Sequence, residues 1–485
     1  MTSFAFGSLR GPSALAAGPA SIRALHWFRS DLRVADNTAL LAAAARAERL
    51  TCVFVLDDRL LRGPGCAAPR VRFLLDCLSR LAGELERRGS ALVVRRGDPA
   101  AELVRLAAEA RAELVTWNRD YGPFARARDA RVTRALERAG VRVQTHRDRV
   151  VFESDQVRTR AGRPFSVYTP YRRAWLERWS REPAPAQRAP RLPPPIHGVT
   201  RGALPAAEPG PPLPAGGSSA ALRRLDAFLE RALADYAWRR DLPAEAGTSR
   251  LSAALRFGTV SVRTCLARAA AAAADDRRRR SGAAKWRDEL VWREFYHAVL
   301  AENPRVLTHA WRPELDSLEW NDDEAGLRAW CAGRTGYPFV DAGMRELAAT
   351  GWMHNRARMA VASFLTKDLG IDWRRGEAFF MQSLVDGDPA SNNGGWQWAA
   401  STGSDAQPWF RIFNPVTQGE RFDPDGRYVR RWLPELRRLR GARAHRPWQA
   451  ESLARGYPPR IVDHAEARAQ ALARFRAALA QKPFT

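Results

Sequence analysis

The residues best suited to chemistry cluster between Asp386 and Pro415, in DGDPASNNGGWQWAASTGSDAQPWFRIFNP. Two carboxylates, Asp386 and Asp388, flank Gly387, and two amides, Asn392 and Asn393, follow. The Gly394-Gly395 pair lets a flat ligand approach the backbone. Trp396, Trp398 and Trp409 come next, and then Arg411. Core segments seldom interleave so many polar groups with indoles, so the pattern points to a pocket for a planar, heteroaromatic ligand. Upstream, GTSRLS (Gly247–Ser252) places the hydroxyls of Thr248, Ser249 and Ser252 around Arg250 and Leu251. At a helix start such groups hold a pyrophosphate through oriented N–H groups and partial positive charge. The same residue types serve equally as ordinary helix caps.

Two kinds of element must position these groups. From Leu25 to about Thr145, apolar runs (LHWF, LTCVFVL, ALVVRR, ELVTW, VRVQT) alternate with helical patterns at Arg70–Arg88, Ala100–Arg111 and Ala125–Ala139. That alternation predicts an α/β domain over residues 24–150, a doubly wound, Rossmann-like parallel sheet. Asp36-Asn37 is expected to cap its first helix. Residues 151–220 hold one amphipathic helix, Val167–Trp179, and then Pro- and Gly-rich stretches that prevent regular structure, as an interdomain connector would. Beyond residue 221 the apolar spacing turns helical at Leu222–Ala234, Arg263–Ala274, Trp286–Ala301 and Ala342–Leu369, predicting an all-helical domain to residue 485. Asp275-Asp276 with Arg277–Arg280 reads as a polar loop. Residues 1–23, rich in Ala, Ser and Gly, read as a disordered extension.

Composition narrows the function. The net charge of +25 suits a polyanionic partner, most simply nucleic acid. Five scattered cysteines without CxxC spacing argue against a disulfide framework or a structural zinc, and fit a cytoplasmic protein. No apolar run approaches the ~20 residues of a membrane helix. No metal-ligand cluster or Ser-His-Asp set stands out, and His354 reads as a neighbour of the pocket rather than a nucleophile.

The Asp386–Pro415 stretch resembles the flavin-binding signature of the DNA photolyase/cryptochrome family. GTSRLS, ELVWREFY (Glu289–Tyr296), TGYPFVDAGMREL (Thr335–Leu347) and GWMHNRARM (Gly351–Met359) match in order and separation. The resemblance runs from about Leu25 to the C-terminus and is greatest to the class I cyclobutane pyrimidine dimer enzymes. It implies an FAD-binding, DNA-binding helical domain and a monomeric protein acting on UV-damaged DNA. Tyr236, Thr248–Ser252, Trp286, Asn355, Arg358, Asp386, Gly387, Asp388 and Asn392 would hold FAD. Arg358 would face the flavin's pyrimidine edge with Asp386 keeping it placed, and Asp388 would accept hydrogen bonds from the flavin or its ribityl chain. Trp396, Trp373 and Trp320 match an electron-transfer series. Trp292 and Trp398 would stack on the damaged bases, Glu289 would bond a pyrimidine, and Asn355 and Met359 would line the same pocket. Arg240, Arg293, Arg356 and Arg411 would hold backbone phosphates.

Asn392 falls where the resembling photolyases have Asn, plant cryptochromes Asp and animal ones Cys, which favours repair over signalling. A cryptochrome-type blue-light receptor is the alternative, and a basic nucleic-acid binder without a chromophore is a third. An antenna chromophore is also implied. The folate-binding variants carry an Asn-Glu pair where this chain has Phe124-Ala125, and WNRDYGPF (Trp117–Phe124) is closer to the deazaflavin or flavin variants.

Overall fold

The computed structural model describes residues 22–63, 65–404 and 411–480. The extension expected at the N-terminus falls almost wholly outside them, as does Trp409. Five parallel strands form one sheet in the order β3-β2-β1-β4-β5: β1 Ile22–Phe28, β2 Ala47–Leu56, β3 Leu92–Arg96, β4 Leu114–Asn118 and β5 Arg142–His146. Strands β1 to β4 are largely apolar on both faces, as a sheet covered on both sides requires, whereas the edge strand β5 is mostly polar and partly exposed. Cys52 and Phe54 pack with the Ala68–Arg87 helix on one face, while Val53 and Val55 pack with Pro99–Ala110 and Pro123–Arg138 on the other. Asn37, not Asp36, caps the first helix, its side-chain oxygen accepting from Leu40 N at 3.1 Å. Asp36 takes a left-handed conformation (φ 54°) and turns its carboxylate to Ser261 and Arg263.

The chain between the Tyr168–Arg181 and Ser218–Arg231 helices has no regular structure but runs against the sheet. Leu50 N donates to Pro194 O at 3.0 Å and Val94 N to Arg201 O at 2.6 Å. The second contact covers the β3 edge, which would otherwise offer unpaired backbone groups.

Residues beyond Ser218 are helical, around two apolar cores. Two expectations need correcting. The run Ala342–Leu369 is not one helix. Pro338–Thr350 ends at Gly351, which adopts φ 65°, and Asn355–Ser363 starts anew with His354 as its cap before a π-turn, Phe364–Asp368. Only glycine takes that left-handed end without strain. Asp275–Arg280 is not a loop throughout: Asp276 caps Arg278 N (2.8 Å) and Arg279 N (3.2 Å), and the helix Arg277–Glu302 starts there.

Buried ion pairs join the sheet to the helices. Asp148, after β5, accepts from Arg33 Nη2 and Arg263 Nη2, each 2.7 Å from one of its oxygens. Burial disfavours its charge, but the two guanidinium groups outweigh that and hold its carboxyl at about 2. Breaking such a pair strands a buried charge, so it fixes how sheet and helices meet.

Candidate flavin and substrate cavity

The helical region, with the start of the connector helix at residues 167–169, lines an open cavity of about 670 Å³, within the size range of ligand clefts. Four stretches build it. Arg277–Glu302 contributes Trp286, Glu289, Trp292 and Arg293; the turn before Ser252–Phe257 contributes Ser249 and Ser252; Asn355–Ser363 contributes Asn355, Arg358 and Met359. The loop Asp386–Asp388 and the helix Pro389–Ala400 add both aspartates, Gly387, Asn392, Trp396 and Trp398. On the long helix, 286, 289, 292–293 and 296 recur at helical spacing and so share one face. Tyr236, Arg240 and Arg411 complete the expected lining.

On one wall, Arg358 Nη2 donates to both Asp386 oxygens, at 2.8 and 3.1 Å, and Arg358 Nε donates to Met353 O at 2.8 Å. The guanidinium is thereby fixed with its remaining donors free to meet a ligand. Asn392 Nδ2 donates to Glu377 Oε1 (2.8 Å) and Glu377 O (3.1 Å). The donor end of the amide is thus used, leaving its oxygen. Gly395 lines the cavity with nothing within 4 Å of where a Cβ would stand, whereas a Cβ on Gly394 would strike the Tyr296 ring at 2.1 Å. The first glycine leaves room in the cavity; the second lets its helix pack on Tyr296.

Another part of the lining is aromatic. Trp292 stacks on Tyr168, with centroids 3.5 Å apart and planes 10° from parallel, and Tyr168 Oη donates to Asp288 O at 2.8 Å. The Arg411 guanidinium lies 5.2 Å from the Trp398 ring centroid. Glu289 accepts from Arg240 Nη1, and Lys285 Nζ stands 3.6 Å away.

Some expected residues have other neighbours. Asp388 lines the cavity, but its carboxylate caps the Pro389–Ala400 helix through Ala390 N and Ser391 N (both 3.1 Å) and pairs with Arg149 from after β5. Burial opposes its charge, yet His297 and the arginines 149, 256 and 293 hold it well below the usual carboxylate range. Asp388 is thereby held in place by the helix N-terminus and Arg149 while it lines the cavity. Arg293 is likewise in the wall, donating to Arg149 O at 2.8 Å, and burial lowers its pKa. Thr248, Arg250, Leu251 and Arg356 do not line the cavity. Leu251 is core, and Arg250 (φ 49°) lies 4.4 Å over Trp352. His354 caps its helix by accepting from Arg356 N at 3.1 Å, and burial pushes its pKa down to about 3.

Trp396 is buried at the cavity wall, and a Cβ on Gly376 would meet its ring at 2.1 Å. Gly376 lies on the helix Trp373–Ser383, so this close approach seats the helix that carries Trp373 directly against Trp396. Trp320 is half-buried and packs beside the same core. The reading from sequence passed over Tyr168, Lys285 and Arg256, which also line the cavity. Tyr168 opens the amphipathic connector helix, and that placement before a helical aromatic face was its one available signal.

Residues present on the walls fit an FAD. Hydroxyls of Ser249 and Ser252 and the cations Arg256 and Arg358 suit phosphates and an anionic ring, and Gly395 leaves space for a flat group. Among the described residues no cluster of His, Cys, Asp and Glu could hold a metal ion.

Comparison with known proteins agrees with this chemistry. Residues 24–191 match the DNA photolyase family, and residues 286–477 match the FAD binding domain of DNA photolyase. A deoxyribodipyrimidine photo-lyase of Halobacterium salinarum is 45% identical over 478 residues, covering 94% of this chain and 99% of that protein. The crystal structure of a bacterial class III photolyase from Agrobacterium tumefaciens superposes with a TM-score of 0.87 at 37% identity, covering 96% of this chain and 99% of that one. An archaeal photolyase from Sulfolobus tokodaii, solved with two FAD molecules, gives 0.81 at 32% identity, covering 94% of this chain and 100% of that one.

Proposed function

Since the chain belongs to the DNA photolyase family, we propose that it repairs UV-damaged DNA in a light-dependent reaction, as a deoxyribodipyrimidine photolyase with FAD as cofactor, splitting cyclobutane pyrimidine dimers. The observation that carries this reading is one continuous cavity lined both by flavin-side residues (Arg358, Asp386, Asn392) and by substrate-side residues (Glu289, Trp292, Met359, Trp398).

FAD, when bound and reduced, supplies a light-excited one-electron donor. The chain's own residues do the rest. Ser249 and Ser252 bind the pyrophosphate. Arg358, held by Asp386, places positive charge beside an anionic ring, where an isolated buried anion would be costly. Asn392 presents an amide, which accepts a hydrogen bond but delivers no acid proton. Trp292 and Trp398 stack on the flipped-out bases, as the general scheme of base extrusion requires. Glu289, held by Arg240 and Lys285, accepts a hydrogen bond from the pyrimidine edge and so orients the dimer. Asn355 and Met359 close the pocket, excluding water. Arg240, Arg356 and Arg411 hold backbone phosphates. Trp396, Trp373 and Trp320 pass electrons inward to refill the site. Asn392, with Trp292 and Met359 in one pocket, weighs for repair over a cryptochrome-type receptor.

A second chromophore, a deazaflavin or flavin in preference to a folate, completes the reading. Phe124-Ala125 stands where folate-binding variants have Asn-Glu, and the Sulfolobus tokodaii relative carries two FAD molecules. A monomer in the cytoplasm is part of the same proposal, and its five free cysteines suit a reducing compartment.

The test is to release the cofactor by heat, identify it by chromatography, and follow loss of cyclobutane and (6-4) lesions from UV-irradiated DNA in light and dark. FAD near one per chain with light-dependent loss of cyclobutane dimers is expected. Loss of only (6-4) lesions would refute the substrate; no light effect with reduced FAD present would refute the activity.

A further inference from the structure

Five charged side chains alternate in sign beside the cavity. Lys285 Nζ is 3.6 Å from Glu289 Oε1, and Glu289 accepts from Arg240 Nη1. Arg240 Nε lies 3.7 Å from Asp241 Oδ1, and Arg356 Nη2 donates to that same oxygen at 2.8 Å. Asp241 thus stands between the two arginines. It follows the short helix Tyr236–Arg239 and ties it to Asn355–Ser363, 115 residues further on.

Asp241 supplies the polar anchoring of Arg356. The Arg356 guanidinium lies 4.0 Å from the Phe422 ring centroid, and its buried Nε has no hydrogen-bond partner. Arg240 has Glu289 on one side, Asp241 on the other and the Tyr236 ring 5.8 Å away. Only about a third of the Asp241 side chain is exposed, at 31%. A carboxylate here is unfavourable for DNA affinity in general, because it repels phosphates and occupies their donors. What it provides is geometry. One oxygen that accepts from Arg356 and attracts the Arg240 guanidinium across 3.7 Å sets how far apart the two planar groups stand.

We propose that Asp241 is a positioning residue for lesion recognition. It holds Arg240 and Arg356 at a span that fits the backbone around an extruded dimer, and it competes with the phosphates of undamaged duplex for both arginines. This rests on reading Arg240 and Arg356 as phosphate contacts. Discrimination then arises by weakening the wrong complex as much as by strengthening the right one.

A bystander charge would behave differently. If Asp241 merely repelled DNA, neutralising it would tighten binding to all DNA by one factor. The experiment measures affinity in the dark, across a salt range, for a duplex with one cyclobutane dimer and for the same duplex undamaged. It uses the full-length protein as wild type, Asp241→Asn and Asp241→Glu. Asp241→Asn should bind undamaged duplex severalfold more tightly while its preference for the dimer falls about tenfold, equivalent to about 1.4 kcal/mol. Asp241→Glu keeps the charge but lengthens the arm, so its undamaged binding should stay level while its preference also falls. Either variant with a lowered preference and a wild-type melting curve supports the proposal. Preference undiminished in both variants overturns it, including the case where Asp241→Asn tightens both duplexes equally. A wild-type protein without preference for the dimer overturns the proposed function, and this inference with it.

Discussion

Removing the Trp292 indole tests the substrate wall most sharply. Trp292 has one face covered by Tyr168 at 3.5 Å, so a single face remains for a pyrimidine. Stacking one base on an aromatic side chain is worth about 1–3 kcal/mol. At about 1.4 kcal/mol per decade, Trp292→Ala should weaken binding of dimer-containing DNA about ten- to a hundredfold. Undamaged duplex should bind nearly as before, because phosphates and not bases hold it. The variant should also lose folding stability, about 0.5–1.5 kcal/mol for the Tyr168 stack and more for the apolar area the indole buries against its neighbours. Tyr168→Ala keeps the indole but frees it to reorient, and should cost dimer binding less than Trp292→Ala. Fluorescence anisotropy with a labelled single-dimer duplex and its undamaged twin reads the binding values, and a melting curve reads the stability. Equal weakening on both duplexes, or none on the dimer, would refute the placement of Trp292 against a flipped base.

Other consequences are separable. Gly395→Leu should fold normally but purify with little FAD, since its side chain fills cavity space, whereas Gly394→Ala should lower thermal stability by driving a methyl into Tyr296; absorbance spectra and melting curves distinguish them. Trp396→Phe should slow light-driven loss of the oxidised-flavin absorbance yet spare repair by chemically reduced protein, and failure of the pre-reduced variant would give Trp396 another role. Lys367 is fully buried, with its ammonium 2.6 Å from Ser401 Oγ, and burial pushes its pKa down to about 7 despite nearby Asp368. Its folded pKa lies below the unfolded value, so its charge costs stability in full below about pH 7, and that cost fades as pH rises towards about 10. Lys367→Met should therefore raise the melting temperature more at pH 6 than at pH 10; a gain independent of pH would contradict the buried charge.

The sheet was readable because β1 to β4 are apolar on both faces and are separated by short helical patterns. The cavity lining was readable in part through local motifs, since Trp286, Glu289, Trp292 and Tyr296 share one helical face. What the sequence hid depends on long-range pairing. Asp388 meets Arg149 across 239 residues, and nothing local announces that its carboxylate is already engaged. Asp241 looks like any acid in a turn until Arg356 is brought to it. The break at Gly351 was masked because Met353, Ala357 and Val361 continue the apolar spacing across it. The early start of the long helix was masked by four consecutive arginines, which carry no apolar period.

The central claim is that one cavity brings reduced FAD and an extruded dimer together. Illumination of anaerobic, pre-reduced protein with an oligonucleotide holding one thymine dimer tests it directly, with the products separated by chromatography. Intact thymines should be restored in the light and not in the dark, turnover exceeding one per chain. A protein that binds the oligonucleotide and retains reduced FAD, yet restores no thymine under light, would contradict it.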